Sequence, residues 1–264
     1  MVYLIHAEPP QITINKYMSL CFIFIFHYIY KIFLFINFLY RRLMMKKSTT
    51  LTFLLSFLSG YVDTAVYVYM GGLFVAHVTG NFVLLGTTMS GQTGGGGHNG
   101  MVALQLLSFP IFVGAAALAT AIGERTGGGR RGTRFLFGLD SAIFALVGAV
   151  ALAGCEIRIA GSLLLVVAMG FLNTAHRLDP TLGPPFTVMT GNVTGMAVSL
   201  ARLVGLAPKA DAKGGPKSTV AATAIPVAGF LFGCAGGALA QAYCGLGAMV
   251  VPALILVAGL FAAA

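Results

Sequence analysis

The chain has 264 residues, 58% of them hydrophobic and 9% charged, with a mean hydropathy of +0.90. A soluble domain carries about 25% charged residues, so this composition excludes an ordinary cytosolic enzyme, a nucleic-acid binder and a disordered chain. The apolar runs are about 20 residues long and do not alternate, which excludes a transmembrane β-barrel and leaves an all-α, polytopic helical bundle in a lipid bilayer. Lys plus Arg number 16 against 7 Asp plus Glu, an excess that basic cytoplasmic loops account for without nucleic acid. Cys21, Cys155, Cys234 and Cys244 form no C-x-x-C pair and have no His cluster beside them. No metal site and no cofactor is expected.

Composition breaks near residue 45. All 35 glycines lie at Gly60 or later, and residues 1–44 hold a single alanine, Ala7. Cys21 to Tyr40 is long enough to span a bilayer, so residues 1–45 read either as an extra helix or as an untranslated leader. Met45-Lys46-Lys47 ahead of the apolar run from Leu51 looks like the start of an inner-membrane protein, and the leader reading is preferred.

The remainder contains an internal repeat. Gly60-Tyr61-Val62-Asp63-Thr64-Ala65 recurs as Gly170-Phe171-Leu172-Asn173-Thr174-Ala175, and Thr79-Gly80-Asn81 recurs as Thr190-Gly191-Asn192. Ordered matches at nearly one spacing indicate duplication, with halves 46–155 and 156–264. The apolar segments of the first half are Leu51–Met70, Gly72–Met89, Met101–Ile122 and Phe135–Gly154. Those of the second are Gly161–Leu178, Pro185–Leu206, Val220–Tyr243 and Gly247–Ala263. The second segment of each half is polar in its middle. Gly is permissive in backbone dihedrals, and Thr and Asn bond local backbone, so each Thr-Gly-Asn predicts a break followed by a fresh helix start.

Loop charge discriminates between topologies. If all eight segments span, the loop with Arg125, Arg130, Arg131 and Arg134 falls outside, against the positive-inside rule. If the two Thr-Gly-Asn segments re-enter, six segments span. That loop and the one with Lys209, Lys213 and Lys217 then lie inside, with both chain ends. Only Arg158, next to Glu156, stays outside. Three spans per half makes the repeats inverted, a recurrent transporter and channel design.

The stretches Gly60-Tyr61-Val62-Asp63, Phe74-Val75-Ala76-His77-Val78-Thr79-Gly80-Asn81, Ala168-Met169-Gly170-Phe171-Leu172-Asn173-Thr174-Ala175 with Arg177, and Thr187-Val188-Met189-Thr190-Gly191-Asn192 resemble the YoaK family, bacterial membrane proteins with a domain of unknown function. The resemblance covers about residues 48–264. It departs at Leu172, where the family usually has Gln, and at Phe186-Thr187, where two threonines are usual. It implies a membrane location and six helices or so, implies no substrate, and leaves the leader without a counterpart.

The candidate binding residues are Asp63, His77, Thr79, Gly80, Asn81, Asn173, Arg177, Thr190, Gly191 and Asn192. Asp63, deep in its segment, reads as a proton or cation site or as a structural ion pair or cap, since an ionised carboxylate there must face protein or water. Its repeat mate Asn173 is neutral, so the duplicated position needs an acceptor more than a charge. Arg177 reads as a partner of Asp63 or Asp179, as an anion binder, or as the cytoplasmic end of its helix. His77 reads as a structural hydrogen-bonding residue before it reads as a ligand. Asp140 reads as an interfacial residue. Each Thr-Gly-Asn offers a half-helix N-terminus for an anion or polar solute, or close packing through glycine. Gly229, Gly233 and Gly237 read as a helix contact face, a candidate face for a homo-oligomer. The two classes of function left are a small-solute transporter or channel, with a site at the repeat interface, and a membrane scaffold or assembly factor. No catalytic arrangement is present, so no enzyme is expected.

Overall fold

The computed structural model describes residues 47–90, 99–208 and 215–262; the leader reading of residues 1–45 and the lysines 209 and 213 lie outside them. The described residues are helical with no strand. The helices are α1 (Lys47–Met70), α2 (Gly80–Met89), α3 (Asn99–Arg125), α4 (Gly129–Leu152), α5 (Arg158–Leu178), α6 (Met189–Leu203), α7 (Gly215–Cys244) and α8 (Val250–Ala262), with short 3-10 turns at Pro180–Leu182 and Gly245–Met249. Four of them, and the run Val220–Leu260, are long and apolar enough to cross a membrane. That last run, 41 residues, is about twice what a bilayer needs, and it folds back at Gly245, which has φ +52°, into α7 and α8.

Contacts between helices give their directions. Side chains added at Gly229, Gly233 and Gly237 would overlap the carbonyl oxygens of Phe53, Phe57 and Tyr61 in the same order, so α7 lies directly on α1 and parallel to it. The Arg158 guanidinium reaches the Met70 carbonyl at 3.3 Å, and Gly183 sits on Thr52, so α5 runs opposite to α1. Gly170 on the Phe112 carbonyl and Gly123 on Leu178 make α3 parallel to α5. Thr133 Oγ1 donates to the Ala175 carbonyl at 3.2 Å, setting α4 antiparallel to α5. Gly148 on Val250 and Ser141 Oγ on the Ala253 carbonyl at 3.0 Å set α8 antiparallel to α4. Helices α1, α4 and α7 therefore point one way and α3, α5 and α8 the other.

It follows that α1 ends on the face where α3 begins, fixed by the Gln105 side chain on the Gly72 carbonyl at 2.7 Å. The connection containing α2 enters and leaves by one face. So does the connection containing α6, between α5 and α7. At 10 and 15 residues, α2 and α6 are about 15 and 22 Å long, short of a hydrocarbon core of about 30 Å. Both helices start in the Thr-Gly-Asn motifs, after irregular chain.

One face of the bundle carries Arg125, Arg130, Arg131, Arg177 and Arg202. The opposite face has Arg158, the exception to the charge rule. Its guanidinium bonds the last carbonyls of α1 and lies 5.8 Å over the Tyr69 ring, where a cation is favoured by the helix C-terminus. The outer surface is apolar: Leu106, Phe109, Val113, Leu118, Leu146, Leu231 and Leu239 are all exposed, a surface that suits lipid rather than water. Helices α1 and α5 are the buried centre. The glycine face of α7 is occupied within the chain by α1, so it is not free for a second copy.

Two expectations follow. In a chain with its other cysteines replaced, the exposed Cys155 should react with an impermeant maleimide from one side of sealed vesicles and Arg130→Cys from the opposite side; reaction of both from one side would exclude the six-crossing path. Gly233→Val, which pushes into the Phe57 backbone, should lower the melting temperature in detergent by the equivalent of about 1–3 kcal/mol or more. Gly138→Ala, with open space at its Cβ, should melt like wild type.

Candidate functional site

The irregular chain ahead of α2 is held inside the bundle by side chains. Asp63 Oδ1 accepts from the backbone N–H of Val75 at 2.7 Å and of Ala76 at 2.8 Å. Asp63 Oδ2 lies 2.7 Å from His77 Nδ1. Asn81 accepts from the Phe74 N–H at 2.9 Å and donates to the Phe74 carbonyl and to Ser108 Oγ, each at 2.8 Å. Buried backbone groups are thereby paired where lipid offers none.

The chain ahead of α6 is held by the same arithmetic. Asn173 Oδ1 accepts from Thr187 Oγ1 at 2.5 Å, a residue 14 positions on, as His77 is from Asp63. Asn192 Nδ2 donates to the Pro185 carbonyl seven positions back at 2.7 Å, as Asn81 does to Phe74. His176 Nε2 meets the Gly183 carbonyl at 2.9 Å, and Thr52 donates to the Leu182 carbonyl at 2.8 Å.

The two segments touch. His77 Nε2 lies 2.8 Å from the Thr187 carbonyl, between residues 110 apart in sequence. A carbonyl only accepts, so Nε2 carries a hydrogen. The 2.7 Å contact at Nδ1 needs a second hydrogen, held by the ring or by Asp63. The pair therefore exists either as imidazolium and carboxylate or as imidazole and carboxylic acid, and in both forms is neutral overall. The ring also stands edge-on to Phe230 of α7, centroids 5.3 Å apart.

Beside Thr187 lies a cavity of 330 Å³, lined by Phe112, Ala116 and Thr120 of α3, Asn173, Thr174, His176 and Arg177 of α5, and Pro185, Phe186, Thr187 and Val188. Of the residues singled out from sequence, Asn173 and Arg177 line this cavity. Asp63 and His77 form the adjoining pair, and His77 is coupled to the cavity through Thr187. Asn81 and Asn192 are buried and do not line this cavity; their side chains turn back on the irregular backbone of their own segments, at Phe74 and Pro185. Thr79, Gly80, Thr190 and Gly191 supply the starts of α2 and α6; a side chain at Gly80 would press on the Phe74 ring at 2.9 Å.

Other placements depart from the sequence reading. Arg177 pairs with neither aspartate: Asp63 is taken by His77, and Asp179 accepts from the N–H and hydroxyl of Thr181. Asp140 is not interfacial. Helix α4 begins at Gly129, ahead of the apolar run, so Asp140 lies deep, fully buried and without a hydrogen-bond partner among the described residues. Leu172, the departure from the expected Gln, is fully buried core. Thr187, Ser108 and Gln105 escaped the sequence reading, although the fourteen-residue spacing from Asn173 to Thr187 repeats that from Asp63 to His77.

Against known proteins, residues 51–262 match the model of a protein family of unknown function, DUF1275, and the chain belongs to that family. No curated protein and no solved structure matches it significantly.

The geometry separates the charge of Asp63 from its hydrogen bonding. Asp63→Asn keeps an acceptor for Val75 and Ala76 and offers an N–H to a neutral His77, so it should fold with nearly wild-type thermal stability. Asp63→Ala strands two backbone N–H groups and the ring, each costing about 1–3 kcal/mol, and should melt far lower. Equal melting of the two variants would remove the capping role.

Proposed function

We propose that this member of the DUF1275 family is a small-solute transporter of the bacterial cytoplasmic membrane, with its basic face towards the cytoplasm. It is read as an inverted repeat of the halves 46–155 and 156–264, in keeping with the motifs that resemble the YoaK family. Supporting the repeat, the motif positions recur about 110 residues apart, the crossing helices run in opposite senses in the two halves, and the second crossing helix of each carries an internal proline, Pro110 or Pro226.

The observation that carries the reading is the His77–Thr187 contact. Two polar irregular segments, the second of them held also by Thr52 of the first half, meet through the His77–Thr187 hydrogen bond at the edge of a 330 Å³ cavity. Interrupted segments meeting between inverted repeats are where solute sites form in transporters. A scaffold has no use for irregular backbone at membrane depth, which is stable only when protein or water covers it. The reading assigns no covalent chemistry to the chain.

The test is osmotic. Proteoliposomes of the full chain, moved into isosmotic solutions of small solutes of differing charge, should swell faster than protein-free vesicles for at least one class. Val188→Trp places a large side chain at a half-exposed cavity wall, 48% exposed in the native chain, and should abolish that difference without changing the melting temperature. Swelling that matches protein-free vesicles for every solute would leave the scaffold reading in its place.

A further inference from the structure

Resting on the transport reading, we infer that the cavity beside Thr187 selects a small organic monoanion. The argument is its inventory of charge. Among the eleven lining residues there is no carboxylate. The ionisable groups are Arg177 and His176, neither of which is ever negative. Arg177 has no hydrogen-bond or ion-pair partner among the described residues, and the two aspartates weighed as its partners are engaged elsewhere: Asp63 by His77 and Asp179 by Thr181. A guanidinium without a partner at the mouth of a half-enclosed cavity offers a planar fork of donors that fits a carboxylate or phosphate.

The remaining polar groups point the same way. Asn173 Oδ1 is occupied by Thr187, and Thr174 and Thr120 donate back to their own helices at 2.9 Å. The oxygens left in the lining are neutral, and none carries the negative charge on which a cation site would draw. The cavity is lined by the last turn of α5 as well as by Val188, just ahead of the uncapped N-terminus of α6, so the helix ends beside it are of both signs and the Arg177 guanidinium sets the charge of its lining. The walls are apolar: Phe112, Ala116, Pro185 and Phe186. The Phe186 ring is buried edge-on against His176, centroids 5.2 Å apart, which makes that wall rigid. At 330 Å³ the cavity is at the small end of ligand sites, about 300–1,000 Å³. One cation, apolar walls and this size specify a single charge on a compact apolar body.

The same charge chemistry belongs to anionic lipid headgroups, and the experiment separates the two sources. The full chain in phosphatidylcholine nanodiscs is titrated calorimetrically with three isosteres, benzoate, benzyl alcohol and benzylamine. Benzoate should bind tightest and benzylamine weakest. Arg177→Gln should weaken benzoate by about tenfold or more and leave benzyl alcohol unchanged. A preference for benzylamine, or benzoate binding indifferent to Arg177→Gln, overturns the assignment. Binding of benzyl alcohol without benzoate defeats the anion class and spares the transport reading, whereas binding of none of the three defeats both. In nanodiscs containing phosphatidylglycerol, retained benzoate affinity supports a free solute. Loss of that affinity, with phosphatidylglycerol retained by wild type and not by Arg177→Gln in native mass spectrometry, identifies a lipid headgroup and overturns the solute assignment.

Discussion

Chain that enters a bilayer without helical hydrogen bonding must find partners for its N–H and C=O groups inside the protein, because each one left open in hydrocarbon costs several kcal/mol. The rest of this structure depends on how that constraint is met. Ahead of α2, Asp63 takes two backbone N–H groups, Asn81 takes one and returns a donor to the same residue, and Gln105 covers the Gly72 carbonyl. Ahead of α6, Asn192, His176 and Thr52 take the carbonyls of Pro185, Gly183 and Leu182. These are polar residues in apolar sequence, and most of the hydrogen bonds they make go to the backbone. That is why the Thr-Gly-Asn motifs are structural supports of the site more than its lining.

Glycine sets how close the elements that do the supporting can come. Gly60 lies three residues before Asp63 and rests on the Phe230 carbonyl of α7; Gly170 lies three before Asn173 and rests on the Phe112 carbonyl of α3. A single methyl at either place would hold the helices apart. The close crossing brings Phe230 onto the His77 ring and Phe112 into the cavity wall. The long glycine face of α7 extends the same contact along α1. Packing and site are therefore one problem in this chain, solved by small residues one helical turn from the polar ones.

Much of this was legible in the sequence for specific reasons. A repeat at constant spacing is visible without coordinates, and so is a break near each Thr-Gly-Asn; the sequence predicts helix starts after the motifs, at Phe82 and Met196, whereas the helices start at Gly80 and at Met189, with the motif in the first turn. The need for an acceptor at positions 63 and 173 also follows from Asp standing opposite Asn, and both are acceptors in the structure. What was not legible is direction. Whether Asn81 faces a cavity or turns back on Phe74 depends on the path of irregular chain, which no periodicity encodes. Asp140 was misjudged because the helix begins at Gly129 with three arginines in its early turns, while hydropathy begins at Phe135; apolar runs mark the lipid-facing length of a helix, not its N-terminus. Thr187 carried its signal only through a spacing that gains meaning once the His77 contact is known.

The two halves differ most where they meet, and the difference accounts for the location of the cavity. In the first half the position bonded to the acceptor is His77, whose ring extends to Thr187 and packs on Phe230. The position matching Arg177 is Tyr67, which stacks on Phe74 with centroids 4.7 Å apart. Two aromatic contacts fill that side. In the second half the corresponding side chain is Thr187, too short to reach across, and the corresponding surface residue is Arg177, whose charged end stays with solvent while its stem covers little. Removing an imidazole and a phenol from an otherwise matched arrangement leaves space, and the chain fills neither with another side chain. The segment ahead of α2 is thus closed around the Asp63–His77 contact, and the segment ahead of α6 lies beside the cavity. The His77 ring donates to the carbonyl of a cavity-lining residue, so the Asp63–His77 pair is joined to the wall of the cavity through one bond.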